Sequence, residues 1–266
     1  MRSPDGPATL GRDTARARLT SRRSFLKVAA ATGAVATLYA APRFNSFGPK
    51  PAYASITGVI PCLSFIDFDT IGGLGAGDKI GTNNSGLQPW SGFGVRVETL
   101  LRDQSAFHPF GAMIFKSSNP DGTAAWSGGD FDLRTPGAGA GNTVPRFNIL
   151  MVSEDGDATD PDDDARGGVI VFQFDTPRIL KSVDLIDIDD GNTVRTRIRA
   201  YSAVTDLTAP GFTFGEPAAG LLKSELVFDG GDNSWQHIAF ARSDVRELRI
   251  RFKSSGAIGR IDFDCP

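Results

Sequence analysis

The chain has 266 residues, a formal net charge of −3, two cysteines and two histidines. Residues 1–54 hold nine basic and two acidic residues, so residues 55–266 carry a formal charge of −10. Such a surface repels nucleic acid and anionic lipid, and it attracts cations. Neither histidine has a cysteine or a second histidine at ligand spacing, which excludes a zinc site of the usual kind.

The N-terminal segment indicates export. Residues 21–27 read Ser-Arg-Arg-Ser-Phe-Leu-Lys, which resembles the twin-arginine signal S-R-R-x-F-L-K at every specified position. The apolar run that follows, residues 28–41, is shorter than the roughly 20 residues that span a bilayer. Ala52-Tyr53-Ala54 forms an A-x-A cleavage site. We therefore expect a twin-arginine signal peptide with a disordered leader over 1–54. The remaining 55–266 would be a single domain in the periplasm or outside the cell, with no membrane span; an uncleaved N-terminal anchor is the alternative.

The rest of the chain alternates apolar and polar residues in short runs, with Gly, Pro, Asn and Asp between them. This pattern is typical of β-strands joined by turns, and no segment has convincing helical periodicity. It predicts an all-β domain, and a jelly-roll β-sandwich of two antiparallel sheets fits best. The predicted strands are Val59–Phe68, Gly92–Leu101, Ala112–Phe115, Phe147–Val152, Val169–Phe174, Ile179–Ile188, Thr193–Tyr201, Ser224–Phe228, Trp235–Phe240, Leu248–Phe252 and Ile258–Phe263.

Cys62 and Cys265 lie near the two ends of this domain. In an oxidising compartment their placement favours a disulfide, with two unpaired buried thiols as the alternative. The first and last strands of jelly rolls often lie side by side. The similar segments 66–69 and 261–264, Ile-Asp-Phe-Asp in both, would then be neighbours.

The segment Thr193–Tyr201 alternates strictly and places Arg195, Arg197 and Arg199 on one face. That face must meet water or acidic partners. An ordinary solvated sheet face and a binding face for an acidic glycan both satisfy this requirement.

An acidic loop, Glu154–Asp164, contains seven acids in eleven residues. Carboxylates at this density repel one another and raise each other's pKa, and a bound divalent cation removes that penalty. Calcium accepts six to eight oxygen ligands in flexible geometry. We therefore predict a calcium site in this loop; a solvated acidic loop is the alternative. The predicted ligands are Glu154, Asp155, Asp157, Asp160 and Asp162, helped by Asp130 and Asp132 from a Gly-rich stretch.

Glycan recognition would need exposed aromatic rings that stack on sugar faces. Trp90 and Trp126 lie in Gly/Ser-rich segments where exposure is expected, although either ring could instead anchor a loop to the core. Catalysis has little support, because we expect His108 to lie in a packed loop and His237 to lie in a strand. We predict no catalytic residue.

The order of motifs resembles that of secreted bacterial β-sandwich proteins of the PEP-CTERM-associated type. The resemblance implies a jelly roll like galactose-binding or carbohydrate-binding modules, which often carry a structural calcium. It implies fold and export more than activity. The matching segments are residues 66–69, 129–136, 148–157, 161–168, 183–189, 255–258 and 261–263.

Three function classes remain open at this stage. The first is a non-catalytic exported module that binds calcium and a glycan or cell-surface matrix. The second is a secreted glycan-active enzyme, a hydrolase or lyase. The third is a purely structural envelope protein.

Overall fold

The computed structural model describes residues 62–265 except 72, 120–125, 129, 192–194 and 208–219. The twin-arginine segment and the expected cleavage site lie outside these ranges. Within them the structure has ten β-strands, two short 3-10 turns (Thr82–Asn84 and Ser91–Phe93) and no α-helix. The strands are β1 (Phe65–Ile66), β2 (Lys79–Ile80), β3 (Val95–Leu101), β4 (Ala112–Lys116), β5 (Asn148–Val152), β6 (Gly168–Ile186), β7 (Arg197–Tyr201), β8 (Leu221–Leu226), β9 (Trp235–Arg251) and β10 (Ala257–Asp264).

All strand pairs are antiparallel, and the strand order is β2-β4-β5-β10-β6-β9-β7-β8. Strand β1 also pairs with β10, and β3 also pairs with β6. The all-β prediction is therefore confirmed. The jelly-roll connectivity stays a prediction.

Strands β6 and β9 are long, with 19 and 17 residues, and each joins two runs that the sequence pattern separates. In β6 the sequence predicts a break near Pro177, because a proline cannot donate a hydrogen bond to a neighbouring strand. The chain nevertheless continues as one strand through register shifts between Gln173 and Ser182. These irregularities switch the inward-facing positions from even numbers, such as Phe172, to odd numbers, such as Val183.

The same irregularities divide the sheet into two sections. Before them β6 lies between β3 and the C-terminal half of β9; after them it lies between β10 and the N-terminal half of β9. Both sections contribute to one buried cluster, which contains Phe172 and Ile250 from the first and Val183 and Ile261 from the second. This shared core gives a sandwich-like arrangement, because each section buries its apolar face against the same side chains.

A disulfide joins Cys62 and Cys265, whose Cα atoms are 5.9 Å apart. Beside it β1 pairs with β10, with Phe65 opposite Asp262 and Ile66 opposite Ile261. The predicted disulfide is confirmed, and the two Ile-Asp-Phe segments are neighbours as predicted, although they pair with each other only at Ile66 and Ile261.

In the part of the chain that the structure describes, no helix is long and apolar enough to cross a membrane.

Candidate metal centre at the acidic loop

The acidic loop connects β5 to β6 and folds back on itself. The Glu154 amide donates to the Asp162 carbonyl (3.0 Å), and the Asp164 amide donates to the Val152 carbonyl (2.9 Å). A β-bridge joins Ser153 to Asp163. The second half of the loop is therefore held against the end of β5, while the first half forms the outer turn.

The outer turn carries four of the predicted ligands, Glu154, Asp155, Asp157 and Asp160, and all four are exposed. The Asp155 carboxylate accepts the Asp157 amide (2.8 Å), and the Asp157 carboxylate accepts the amide and hydroxyl of Thr159 (2.9 and 2.7 Å). These local hydrogen bonds shape the turn. They are typical of acidic turn residues whether or not a cation is near.

The inner half of the loop brings three carboxylates together. One oxygen each from Asp130, Asp162 and Asp163 lies within 4.8 Å of the others, and Asp130 and Asp163 are 3% and 1% exposed. Two of these acids belong to the predicted ligand set. The third, Asp163, belongs to the acid run but not to that set. Its position just before β6, where the loop must approach the sheet, is the sequence signal that could have identified it.

One carboxylate oxygen of Asp163 is buried and accepts no hydrogen bond. Its Oδ2 accepts the backbone amide of Gly256, whereas its buried Oδ1 accepts no hydrogen bond. The Asp130 carboxyl contacts Asp163, but two ionised carboxylates have no proton to share. Burial, and then the charge of Asp130, raise the pKa of Asp163 well above its ordinary value. The site therefore needs either a proton or a cation.

Asp187 adds to this negative field at the end of β6. Burial, together with the charges of Asp130 and Asp132, raises its pKa from 3.8 to about 7, although the hydrogen bond from the Asn233 backbone amide opposes this effect. Asp132 is half-buried and lies outside the three-acid group, although its amide donates to Asp130 Oδ1 (3.0 Å). The centre is therefore a buried concentration of acids, with Asp132 at its edge.

Asp164 lies outside the three-acid group and joins the acidic loop to His108, in the segment between β3 and β4. It lies 3.1 Å from His108 Nε2 and 3.0 Å from Arg166 Nε. The backbone amides of Phe110 and Gly111 donate to His108 Nδ1. Burial alone would raise the pKa of Asp164, but the hydrogen bonds from His108 and Arg166 outweigh it and lower the pKa to about 2. His108 is thus a packed residue whose two ring nitrogens are both engaged.

The second histidine, His237, is mostly exposed and lies on β9 opposite Asp184 of β6. Its Nδ1 is 2.6 Å from Asp184 Oδ1. Burial raises the pKa of Asp184, and the contact with His237 opposes that effect. This pair fixes the ring orientation on the outer face of the sheet.

Of the two tryptophans predicted to be exposed, Trp90 is fully buried, so its predicted exposure is wrong. Its ring packs edge-on against Phe68, with centroids 5.7 Å apart, because the 3-10 turn that begins at Ser91 is folded over the core. Trp126 is half-buried, with the Phe131 ring edge-on at 5.4 Å and the Arg134 guanidinium 4.7 Å from its centroid.

Phe131, which the sequence pattern did not single out, is 63% exposed and lines an open cleft of about 610 Å³. The cleft also contains Asp132, Arg134 and Asn233. The Asn233 side chain donates to the carbonyls of Asp132 and Arg134 at 2.5 and 2.7 Å. The backbone amide of Asn233 also donates to Asp187 Oδ1. Asn233 therefore connects the cleft to the buried acids.

Comparison with known proteins identifies the N-terminal segment. Residues 20–39 match the family model of the TAT (twin-arginine translocation) pathway signal sequence. No curated protein matches the chain. The protein is therefore exported by the twin-arginine pathway to the periplasm or beyond, which confirms the predicted localisation and is consistent with the disulfide.

Proposed function

We propose that the exported domain is a non-catalytic β-sandwich module stabilised by a calcium ion at Asp130, Asp162 and Asp163. The observation that carries this proposal is the buried Oδ1 of Asp163, which has no hydrogen-bond donor, in a carboxylate that lies within 4.8 Å of those of Asp130 and Asp162. A divalent cation would neutralise these charges and fix the acidic loop against β5.

Calcium suits the donor set better than other common metals. The three residues offer only carboxylate oxygens, which favour hard cations over zinc or copper. Together they can supply up to six oxygens, and Ca²⁺ accepts mono- and bidentate carboxylates in variable geometry. Magnesium would bind more weakly, because it requires nearly ideal octahedral geometry and loses its water reluctantly.

A second role, glycan or matrix binding, is supported by the cleft beside the acid cluster. Its volume falls within the range of known small-ligand sites. Its exposed Phe131, backed by Trp126 and Arg134, offers a flat ring of the kind that stacks on sugars. The motif order that resembles PEP-CTERM-associated and carbohydrate-binding modules supports the same role. A glycan-active enzyme and a structural envelope protein are the alternatives.

The metal proposal is tested with the mature domain in calcium, in magnesium and in chelator. We expect heat of binding with calcium by titration calorimetry and a higher melting temperature in millimolar calcium than in magnesium. Identical melting curves in calcium and chelator, without heat of binding, would leave a protonated acid pair and refute the site.

The glycan role is tested on a glycan array with the same protein and with Phe131→Ala. We expect binding that this variant loses without a change in melting temperature, because the ring is exposed. An empty array, or binding that survives the substitution, would contradict this role. Turnover of an array glycan would instead identify the enzyme.

A further inference from the structure

Four arginines lie on the face of β7 and β9 that is opposite the main core, because they alternate with the core residues of these strands. Arg197 of β7 lies directly opposite Arg251 of β9, and Arg199 lies directly opposite Arg249. Side chains at directly opposite antiparallel positions are close neighbours, and like charges there are destabilising. Arg102, at the end of β3, acts electrostatically on Arg251. In a domain whose formal charge is −10, this concentration of positive charge requires an explanation.

One member of the group, Arg249, is compensated inside the protein. It is 2% exposed, and its Nε donates to Glu247 Oε1 at 2.6 Å. Its other donors reach the side chains of Gln104 and Thr205. Glu247 also accepts hydrogen bonds from Gln173 and Thr205, so its oxygens are fully used. The oxygens of Glu247 are therefore used by Arg249, Gln173 and Thr205, and Glu247 makes no ion pair with Arg197 or Arg251.

Arg197 and Arg251 are half-exposed, and in the described part of the chain no acid lies within ion-pair distance of either. Burial, followed by the charges of Arg102 and Arg197, lowers the pKa of Arg251, while Asp103 opposes this effect. Both guanidinium groups line a narrow cleft with Arg199 and Arg249, above Val169. The cleft, of about 10 Å³, is too small for a sugar ring but has room for about one oxygen atom of a carboxylate or sulfate group.

Two exposed apolar side chains lie beside the arginines. Leu226 of β8 is 42% exposed and lies directly opposite Arg197. Two residues further along, Phe228 is 66% exposed, and the Arg195 guanidinium stacks on it at 4.7 Å. Arginines on alternate residues of an extended strand stand roughly 6.5 Å apart, so that they can meet successive charges of a repeating chain. This combination of planar cations, one exposed ring and an exposed leucine matches a sugar polymer that bears acidic groups.

We propose that this face binds an acidic polysaccharide, with Arg197 and Arg251 gripping a carboxylate or sulfate group and Leu226 and Phe228 packing against the sugar rings. Guanidinium forks bind such oxyanions through paired, charge-assisted hydrogen bonds. Nucleic acid is a longer and more densely charged polyanion, and it would extend beyond the arginines onto the acidic remainder of the surface, which repels it. The site does not depend on the proposed calcium ion or on the Phe131 cleft.

The test uses the mature domain in chelator, so that a calcium bridge cannot contribute. Binding to a polyuronate, a sulfated dextran, neutral dextran and single-stranded DNA is measured by biolayer interferometry at two salt concentrations. We expect salt-sensitive binding to at least one of the two acidic polysaccharides and none to neutral dextran. The polyuronate and the sulfated dextran distinguish a carboxylate ligand from a sulfate ligand.

The variant Arg197→Gln/Arg251→Gln should weaken that binding about tenfold or more, because each arginine contributes charge-assisted hydrogen bonds. Its melting temperature should not fall, since the change removes a like-charge pair. Arg242→Gln, an exposed arginine of the same strand, is the matched control and should bind as the wild type does. Equal binding by the double variant, no binding of either acidic polysaccharide by the wild type, or tighter binding of the DNA would overturn the proposal.

Discussion

Asp163→Asn should have opposite effects with and without calcium. Asparagine keeps an oxygen for the Gly256 amide but removes the buried charge that faces Asp130 and Asp162. In chelator at pH 7 the variant should melt at the same temperature as the wild type or higher, because the ionised Asp163 is costly there. In calcium the variant should be the less stable of the two, because it lacks one ligand.

The size of the calcium effect follows from mass action. Extracellular calcium sites commonly bind with Kd of about 10⁻⁴–10⁻³ M, so 10 mM calcium should stabilise the wild type by about 1.4–2.7 kcal/mol. For a domain of this length each kcal/mol raises the melting temperature by about 2–4 °C, which gives a shift of about 3–11 °C. The variant should lose most of this shift.

Differential scanning fluorimetry of both proteins in calcium, magnesium and chelator measures the effect directly. Asp160→Asn is the matched control, because Asp160 is an exposed acid of the same loop outside the three-acid group. This control should keep the full calcium shift. The reasoning fails if Asp163→Asn shows the same calcium shift as the wild type, or if Asp160→Asn abolishes it.

Three further predictions follow from the described contacts and the signal. The lowered pKa of Asp164 contributes stability that is present above its ordinary value of 3.8 and is lost as the pH falls towards about 2. Asp164→Asn should therefore lower the free energy of unfolding by about 1–2 kcal/mol at pH 7, allowing for solvent screening of its exposed partner, and by little at pH 2. Urea denaturation at both pH values measures this, and an equal loss at the two would contradict it. Replacing Cys62 and Cys265 together by serine should destabilise the domain by about 2–5 kcal/mol, and an unchanged urea midpoint would show that the cross-link contributes nothing. Changing Arg22 and Arg23 to lysine should keep the precursor in the cytoplasm, as cell fractionation would show, and normal export would refute the role of the pair.

The sequence was sufficient to predict the all-β class and the disulfide that joins the two ends of the domain, because the first depends on local alternation and the second on two cysteines. It could not predict that β6 runs unbroken past Pro177. A bulge within a continuous strand and a break between two strands interrupt the pattern of apolar residues in the same way. Register between distant strands decides between them, and a single sequence does not contain it.

The candidate metal centre was predicted in part for a related reason. Charge density identified the acidic loop, but it could not separate the exposed acids of the outer turn, such as Asp157, from the buried Asp163. That separation depends on where the loop contacts β5. The exposure predicted for Trp90 was wrong for a similar reason. Neighbouring glycines predict that the backbone forms a loop, but they do not predict on which side of that loop the ring packs.

The disulfide also determines how the domain responds to force. Because Cys62 and Cys265 are covalently joined at the two ends of the described fold, tension applied through those ends passes along the S–S bond and bypasses the sheet between them. The β6 and β9 ladders would carry no load until that bond broke. After reduction, the same tension would first peel the two-residue pairing of β1 from β10. A domain pulled at these two ends would therefore resist extension as long as its surroundings remain oxidising.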